Sequence, residues 1–209
     1  MIADQGLIVF GTTLFLLGMA HFNTRIALFD AQAFRYLHKR LRRFVPLFRV
    51  FWHLGRTPLS LVTLLLIALF QLQAGVLSGI VYALTVTVEW ALKRSLQRPR
   101  PFYLLPDAQM EQPRRPDDFS FPSGDALRIW MLAALLTTLF DLPWPAALIL
   151  YALAVIVSLG RIALGVHYPL DVLSGAGLGL LGAGLWHQLW HQAFISESIT
   201  TLLALLAHL

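Results

Sequence analysis

Three short polar stretches of this chain carry residue types that can handle phosphate. Lys93-Arg94-Ser95-Leu96-Gln97-Arg98-Pro99-Arg100-Pro101 concentrates cations, and Pro122-Ser123-Gly124-Asp125 sets a hydroxyl, a glycine and a carboxylate where an apolar run begins. Arg128 follows Asp125 by three residues, within pairing reach on a helix. The third stretch runs from Arg161 through His167 to Asp171. Each has an ordinary explanation taken singly. Lys and Arg snorkel at membrane boundaries, Ser and Asp cap helices and suit the positive end of the dipole, and His and Asp four residues apart can share a helix face. Brought together, they would make a phosphoryl-transfer pocket. Lys93, Arg100 and Arg161 supply positive charge. Ser123 and the free amides of Gly124 and Asp125 at a helix N-terminus bind phosphate oxygens, and His167 oriented by Asp171 serves as nucleophile or base.

Such a pocket needs elements that carry all three stretches to one place. Of the 209 residues, 57% are hydrophobic and 13% charged, and the mean hydropathy is +0.68. That composition excludes an ordinary soluble domain and predicts an all-α, polytopic membrane helix bundle. The absence of cysteine excludes a disulfide framework and any thiolate nucleophile or metal ligand. Spans of ~20 apolar residues are expected near 6–22, 56–72, 75–92, 124–141, 145–163 and 170–190, about six transmembrane helices in one domain covering residues 1–209. Gln71, Gln73 and Gly75 offer the turn between the second and third, and Pro143 and Pro145 the fourth connection. The first segment lacks a basic region before it and a small-residue cleavage site after it, so it is expected to be retained. Counting spans puts all three polar stretches on one side of the membrane.

Residues 23–55 are not a span. Phe29, Phe34, Leu37, Leu41, Val45 and Phe48 alternate with Arg35, Lys39, Arg40, Arg42, Arg43 and Arg49, a basic amphipathic pattern that suits a helix at the lipid headgroup surface with a kink or stop near Pro46. A solvated connecting helix with an anchoring face fits the same pattern. Residues 102–121 read as an acidic, proline-containing loop, and Thr200–Leu209 as an apolar stretch too short to cross. Eight Lys and Arg fall between Arg25 and Arg56 and six between Lys93 and Arg115, all on the side of the polar stretches. By the positive-inside rule that side is cytoplasmic.

The order and spacing of the three stretches resemble the type 2 phosphatidic acid phosphatase superfamily: Lys93, six residues, Arg100-Pro101; Pro122-Ser123-Gly124; then Arg161, five residues, His167, three residues, Asp171. The resemblance covers roughly residues 75–190. It implies that His167 attacks phosphorus to form a phosphohistidine and that Asp171 orients it. It also implies that Lys93, Arg100, Ser123, Gly124 and Arg161 hold the phosphate, and that no metal or other cofactor takes part. Bacterial members commonly work on the outer face of the inner membrane, which opposes the charge rule, so both orientations stand.

Two positions depart from the family pattern. Gly160 stands where a serine is usual, and Asp125 where the family has the histidine that protonates the leaving oxygen. A carboxyl with a reference pKa of ~3.9 is a poor acid near neutral pH, and nearby cations lower it further. Three consequences compete. A leaving group that is itself a phosphate needs little protonation, which biases the enzyme toward lipid diphosphates of the polyprenyl type, such as undecaprenyl diphosphate. Alternatively the protein binds phospholipid without turning it over, or Asp125 does the work of the acid. The expected function is a membrane lipid phosphatase, with a lipid phosphotransferase or a non-catalytic phospholipid-binding protein as alternatives. The expected partners are the bilayer and a lipid phosphate or diphosphate, with no nucleic acid.

Overall fold

Each apolar run expected to span becomes a helix. In chain order these are α1 (Ile2–Met19), α2 (Thr24–Leu41), α3 (Val45–Phe51), α4 (Thr57–Phe70), α5 (Leu72–Leu96), the single turn α6 (Pro101–Leu104), α7 (Gly124–Leu139), α8 (Trp144–Ala163) and α9 (Pro169–Leu206). The computed structural model describes the backbone of residues 2–206 and the side chains of 5–192, and no strand occurs among them. Gln5–Phe22, Leu72–Leu104, Trp144–Ala163 and Pro169–Gln192 are long and apolar enough to cross a membrane, and residues 24–70, bent by 44°, add a fifth if counted as one broken span. At 16 residues α7 is shorter, ~24 Å at 1.5 Å per residue. It lies inside the bundle, packed by α8 on one side and α9 on another, so protein rather than lipid satisfies its surface.

α9 forms the axis, with α1, α7 and α5 against it. Small residues let α1 come close: a Cβ on Gly177 would sit 2.5 Å from the Gly11 carbonyl oxygen, so the two backbones touch there. The main core joins Leu64 and Ile67 of α4, Val81 and Tyr82 of α5, Met131 and Leu135 of α7, and Leu180 and Trp186 of α9. Outward-facing Phe10, Leu16, Leu65, Leu69 and Leu148 remain exposed, as a hydrocarbon solvent requires.

Several boundaries differ from the sequence reading. The break between α4 and α5 is the single residue Gln71, extended at φ −148°, rather than a turn reaching Gly75. α5 continues to Leu96, which puts Lys93 on its last turn. Pro46 starts α3 instead of stopping a helix, because proline tolerates the first turn, and the break precedes it at Arg42–Phe44. Thr200–Leu206 continues α9 as helix, while the packing of Thr200–Leu209 falls outside the described side chains. Within 23–55, α2 buries Asp30, Phe34 and His38 at helical spacing and exposes Arg25, Arg35, Lys39 and Arg40. Arg35 meets Asp107 at 3.1 Å, and Arg49 meets Glu111 at 2.9 Å, so part of the basic segment holds the acidic loop in place.

Candidate active site

The third polar stretch is shaped by the end of α8. Gly165 adopts φ +76°, open chiefly to glycine, and a Cβ there would collide with the Gln109 carbonyl oxygen at 2.2 Å. The amides of Val166 and His167 donate back to the Arg161 carbonyl at 3.2 and 3.3 Å. This turn sets the spacing from Arg161 to His167. The expectation that His167 and Asp171 share a helix face needs correction: α9 starts at Pro169, so His167 lies in the turn before it and only Asp171 is helical. Their approach is made by the turn, with the Tyr168 amide donating to Asp171 Oδ2 at 2.9 Å.

Asp171 is fully buried and held from several directions. Arg98 Nη1 donates to Oδ1 at 2.6 Å, and the Ser120 hydroxyl donates to Oδ2. The other arm of Arg98 donates to buried Asp30 of α2 at 2.6 Å, and the Tyr168 ring lies 4.2 Å beneath its guanidinium. Asp30 also accepts the Leu170 amide at 3.0 Å, which satisfies an open donor at the start of α9. Arg98, Ser120 and Asp30 are site residues that sequence reasoning missed. Arg98 lay within the first stretch, but nothing in the spacing of Asp30 pointed to the site.

His167 faces Asp171 through Nδ1, 3.7 Å from Oδ2, longer than a hydrogen bond. Its Nε2 lies 3.1 Å from Arg100 Nη1. Arginine can only donate, so Nε2 accepts and carries the lone pair, and the ring proton belongs on Nδ1. Burial first, then the charge of Arg100, depresses the His167 pKa to about 3 against the opposing pull of Asp171. The imidazole is therefore neutral near pH 7.

A cavity of about 360 Å³ opens beside Nε2, walled by Lys93, Arg100, Gly124, Asp125, Arg128 and Arg161 together with His167. Of the residues singled out by sequence, Ser123 and Asp171 lie behind this wall. The Ser123 amide donates to the Asp171 carbonyl at 2.9 Å, joining α7 to α9, and its hydroxyl makes no cap. The capping explanation of the second stretch is thus corrected: Ser123 Oγ is buried and unpartnered among the described residues, and Asp125 lies inside the first turn with its carboxylate on other charges. At Gly160, where the family has serine, the ring of Phe48 from α3 fills the space, 3.1 Å from where a Cβ would lie.

The cations of the wall already carry carboxylates. Asp118 of the loop accepts from Lys93 at 2.6 Å and from Arg100 Nη2. Burial would push its carboxyl up, but Lys93 and Arg100 outweigh that and hold it well below the usual range. Asp125 pairs with Arg161 at 2.9 Å and stands 3.5 Å from Arg128. Gln112 accepts from Arg161 at 2.6 Å. Three donors on this wall, Arg128 Nε, Arg161 Nε and Arg161 Nη1, are buried without a hydrogen-bond partner among the described residues. Buried donors left unmet in an otherwise bonded site point to an absent acceptor.

The family model of the PAP2 superfamily matches residues 74–195. An undecaprenyl-diphosphatase of Sulfolobus acidocaldarius is 33% identical over 122 residues, covering 58% of this chain and 57% of that protein. The putative undecaprenyl-diphosphatase YbjG of Escherichia coli K12 is 30% identical over 128 residues, covering 59% of this chain and 63% of that protein. The chain thus matches less than two thirds of the length of either relative. Among solved structures, Aquifex aeolicus LpxE shares 26% identity at a TM-score of 0.65, over 75% of this chain and 93% of its own. A transmembrane PAP2-type phosphatidylglycerolphosphate phosphatase from Bacillus subtilis shares 23% identity at a TM-score of 0.73, over 92% and 98%, a likeness of fold.

Proposed function

We propose that this chain, which belongs to the PAP2 superfamily, is an integral-membrane lipid phosphatase whose preferred substrate is a lipid diphosphate of the polyprenyl type. The observation that carries the reading is the lone pair of His167 Nε2, held beside Arg100 at the floor of a cation-walled cavity with a buried carboxylate behind the ring. His167 Nε2 attacks the terminal phosphorus, and the bridging P–O bond breaks. The lipid monophosphate leaves, and water then displaces the phosphoryl group from His167 as inorganic phosphate. Lys93, Arg100 and Arg161, with the amide of Gly124, receive the phosphoryl oxygens. Asp171 keeps the proton on Nδ1 and stabilises the charged ring during attack. The names of the undecaprenyl-diphosphatase relatives agree with a diphosphate, as does Asp125 in place of a neutral-pH acid, since a departing phosphate needs little protonation.

The test is phosphate release by purified protein from farnesyl diphosphate and farnesyl phosphate, with labelled acceptor lipid present. Release that is much faster from the diphosphate, and a loss of ~10⁴-fold or more together with the covalent phosphoenzyme in His167→Ala, is expected. Labelled acceptor without release would make the protein a phosphotransferase. Binding of the lipid with neither product would make it a non-catalytic phospholipid-binding protein, and wild-type release by His167→Ala would overturn the phosphohistidine.

A further inference from the structure

Arg128 is held less tightly than Arg98. Arg98 grips two carboxylates at 2.6 Å, whereas Arg128 stands 3.5 Å from Asp125 and 3.4 Å from Glu89, at the outer limit of hydrogen bonding. Its Nε is buried and unpartnered among the described residues. The head lies against the start of α7: a Cβ on Gly124 would meet Arg128 Nη1 at 2.7 Å and Glu89 Oε1 at 2.3 Å, so a side chain there would push the ends of both aside. A mostly buried guanidinium with long contacts and an open donor on the cavity wall can take up a further anionic group.

Lys93, Arg100 and Arg161 make one phosphate seat, with Arg100 touching His167 itself. Arg128 stands one carboxylate removed from these cations. It is joined to that seat through Asp125, which lies 2.9 Å from Arg161 and 3.5 Å from Arg128, and through Glu89, which lies 3.6 Å from Lys93 and 3.4 Å from Arg128. We infer that Arg128 is the leaving-phosphate residue: it binds the lipid-proximal phosphate and takes up electrostatically the charge that a general acid would neutralise with a proton. When His167 Nε2 attacks the terminal phosphorus, the electron pair of the bridging bond passes to the bridging oxygen. The departing lipid monophosphate thereby gains one negative charge, which meets a fixed cation in a buried wall. An arginine cannot release its proton, so an alkoxide departing from a monophosphate obtains no such help. Asp125 then serves to hold Arg161 and Arg128 apart on the two phosphates, a positioning role. This rests on the diphosphate reading above and names the residue that would enforce it.

The measurement is kcat/KM of the full-length protein for farnesyl diphosphate and for farnesyl phosphate, reported as their ratio. Arg128→Gln should lower that ratio ~100-fold, the scale on which losing one transition-state donor acts, and Arg128→Lys should restore part of it. A ratio unmoved in Arg128→Gln, with both substrates slowed alike, overturns the assignment. If Arg128→Gln does not yield folded protein, Arg128→Lys decides it: a ratio below wild type supports the assignment and an unmoved ratio overturns it. Failure of the diphosphate reading is seen separately, as a wild-type protein that prefers the monophosphate.

Discussion

The two sides of the cavity are built to different tolerances. Behind His167, Asp30, Arg98, Asp171 and Ser120 form a buried chain with both Arg98 contacts at 2.6 Å, and every carboxylate in it is bonded. Across the cavity, Asp125, Arg128 and Glu89 meet at 3.4–3.5 Å with donors left open. The first arrangement is closed by short contacts except at His167 Nδ1, 3.7 Å from Asp171, and the second is held by long ones. A nucleophile must be oriented before substrate arrives, because any reorientation during attack adds to the barrier, whereas groups that receive phosphate can leave their bonds unmade until it binds. The short contacts around Asp171 fix the carboxylate behind His167, while the long ones around Arg128 leave its guanidinium able to shift toward an anion.

The comparison is most severely tested on the tight side. Asp171→Asn removes the charge behind His167 and keeps the shape, so turnover should fall by about 10³-fold with KM for farnesyl diphosphate nearly unchanged. A change confined to KM would mean that Asp171 serves the phosphate seat instead. Next comes Asp125→His on the slack side, which supplies a proton donor near neutral pH and should accelerate the monophosphate by ~10²-fold, narrowing the gap to the diphosphate. Equal gains on both substrates would show that freeing Arg161 from Asp125, rather than acid catalysis, is the cause.

A smaller effect is expected at Asp118, whose carboxylate occupies Lys93 and Arg100 in the absence of substrate. Asp118→Asn should strengthen competitive inhibition by inorganic phosphate by roughly tenfold, about one exposed charge-assisted contact, with kcat little altered. Weaker inhibition would make Asp118 a support for the two cations instead of their placeholder. The gentlest probe is pH. The His167 pKa is near 3 in the folded protein against 6.5 for a free histidine. Between those values the unfolded chain binds a proton that the native state does not, so stability should rise with pH across that window, with up to one proton in the slope, and be fully present above pH 6.5. Melting temperatures of wild type and His167→Gln measured from pH 4 to 7 should diverge toward acid, with the wild type falling faster.

Much of this site was legible in the chain. Spacing alone grouped Lys93, Arg100, Gly124, Arg161 and His167, which the fold brings to one cavity wall, because each stretch abuts an apolar run and span counting puts those ends on one side. The pairing of Arg128 with Asp125 followed from three-residue helical spacing. Asp30 could not be found this way. It is one acidic residue in a basic amphipathic helix, and its contact with Arg98 crosses 68 positions of sequence. Asp118 was visible only as one acid in an acidic loop, since a loop's course over a cavity depends on what ties it, here His38 to Gln109 and Arg49 to Glu111.

By itself, then, the sequence determined the apolar helices and the local turns that space functional residues within each stretch. Those follow from hydrophobic length, proline and glycine placement, and helical period, all of them short-range. It also placed a carboxylate, Asp125, at the position where the resemblance leads one to expect a histidine. Only the tertiary structure decided which charges are spent on each other and which stay open. Ion pairing inside a low-dielectric bundle is settled by ångström differences among groups far apart in the chain. The contrast between Arg98 bound at 2.6 Å and Arg128 held at 3.4–3.5 Å, two arginines alike in sequence, arises entirely from the helices packed around them.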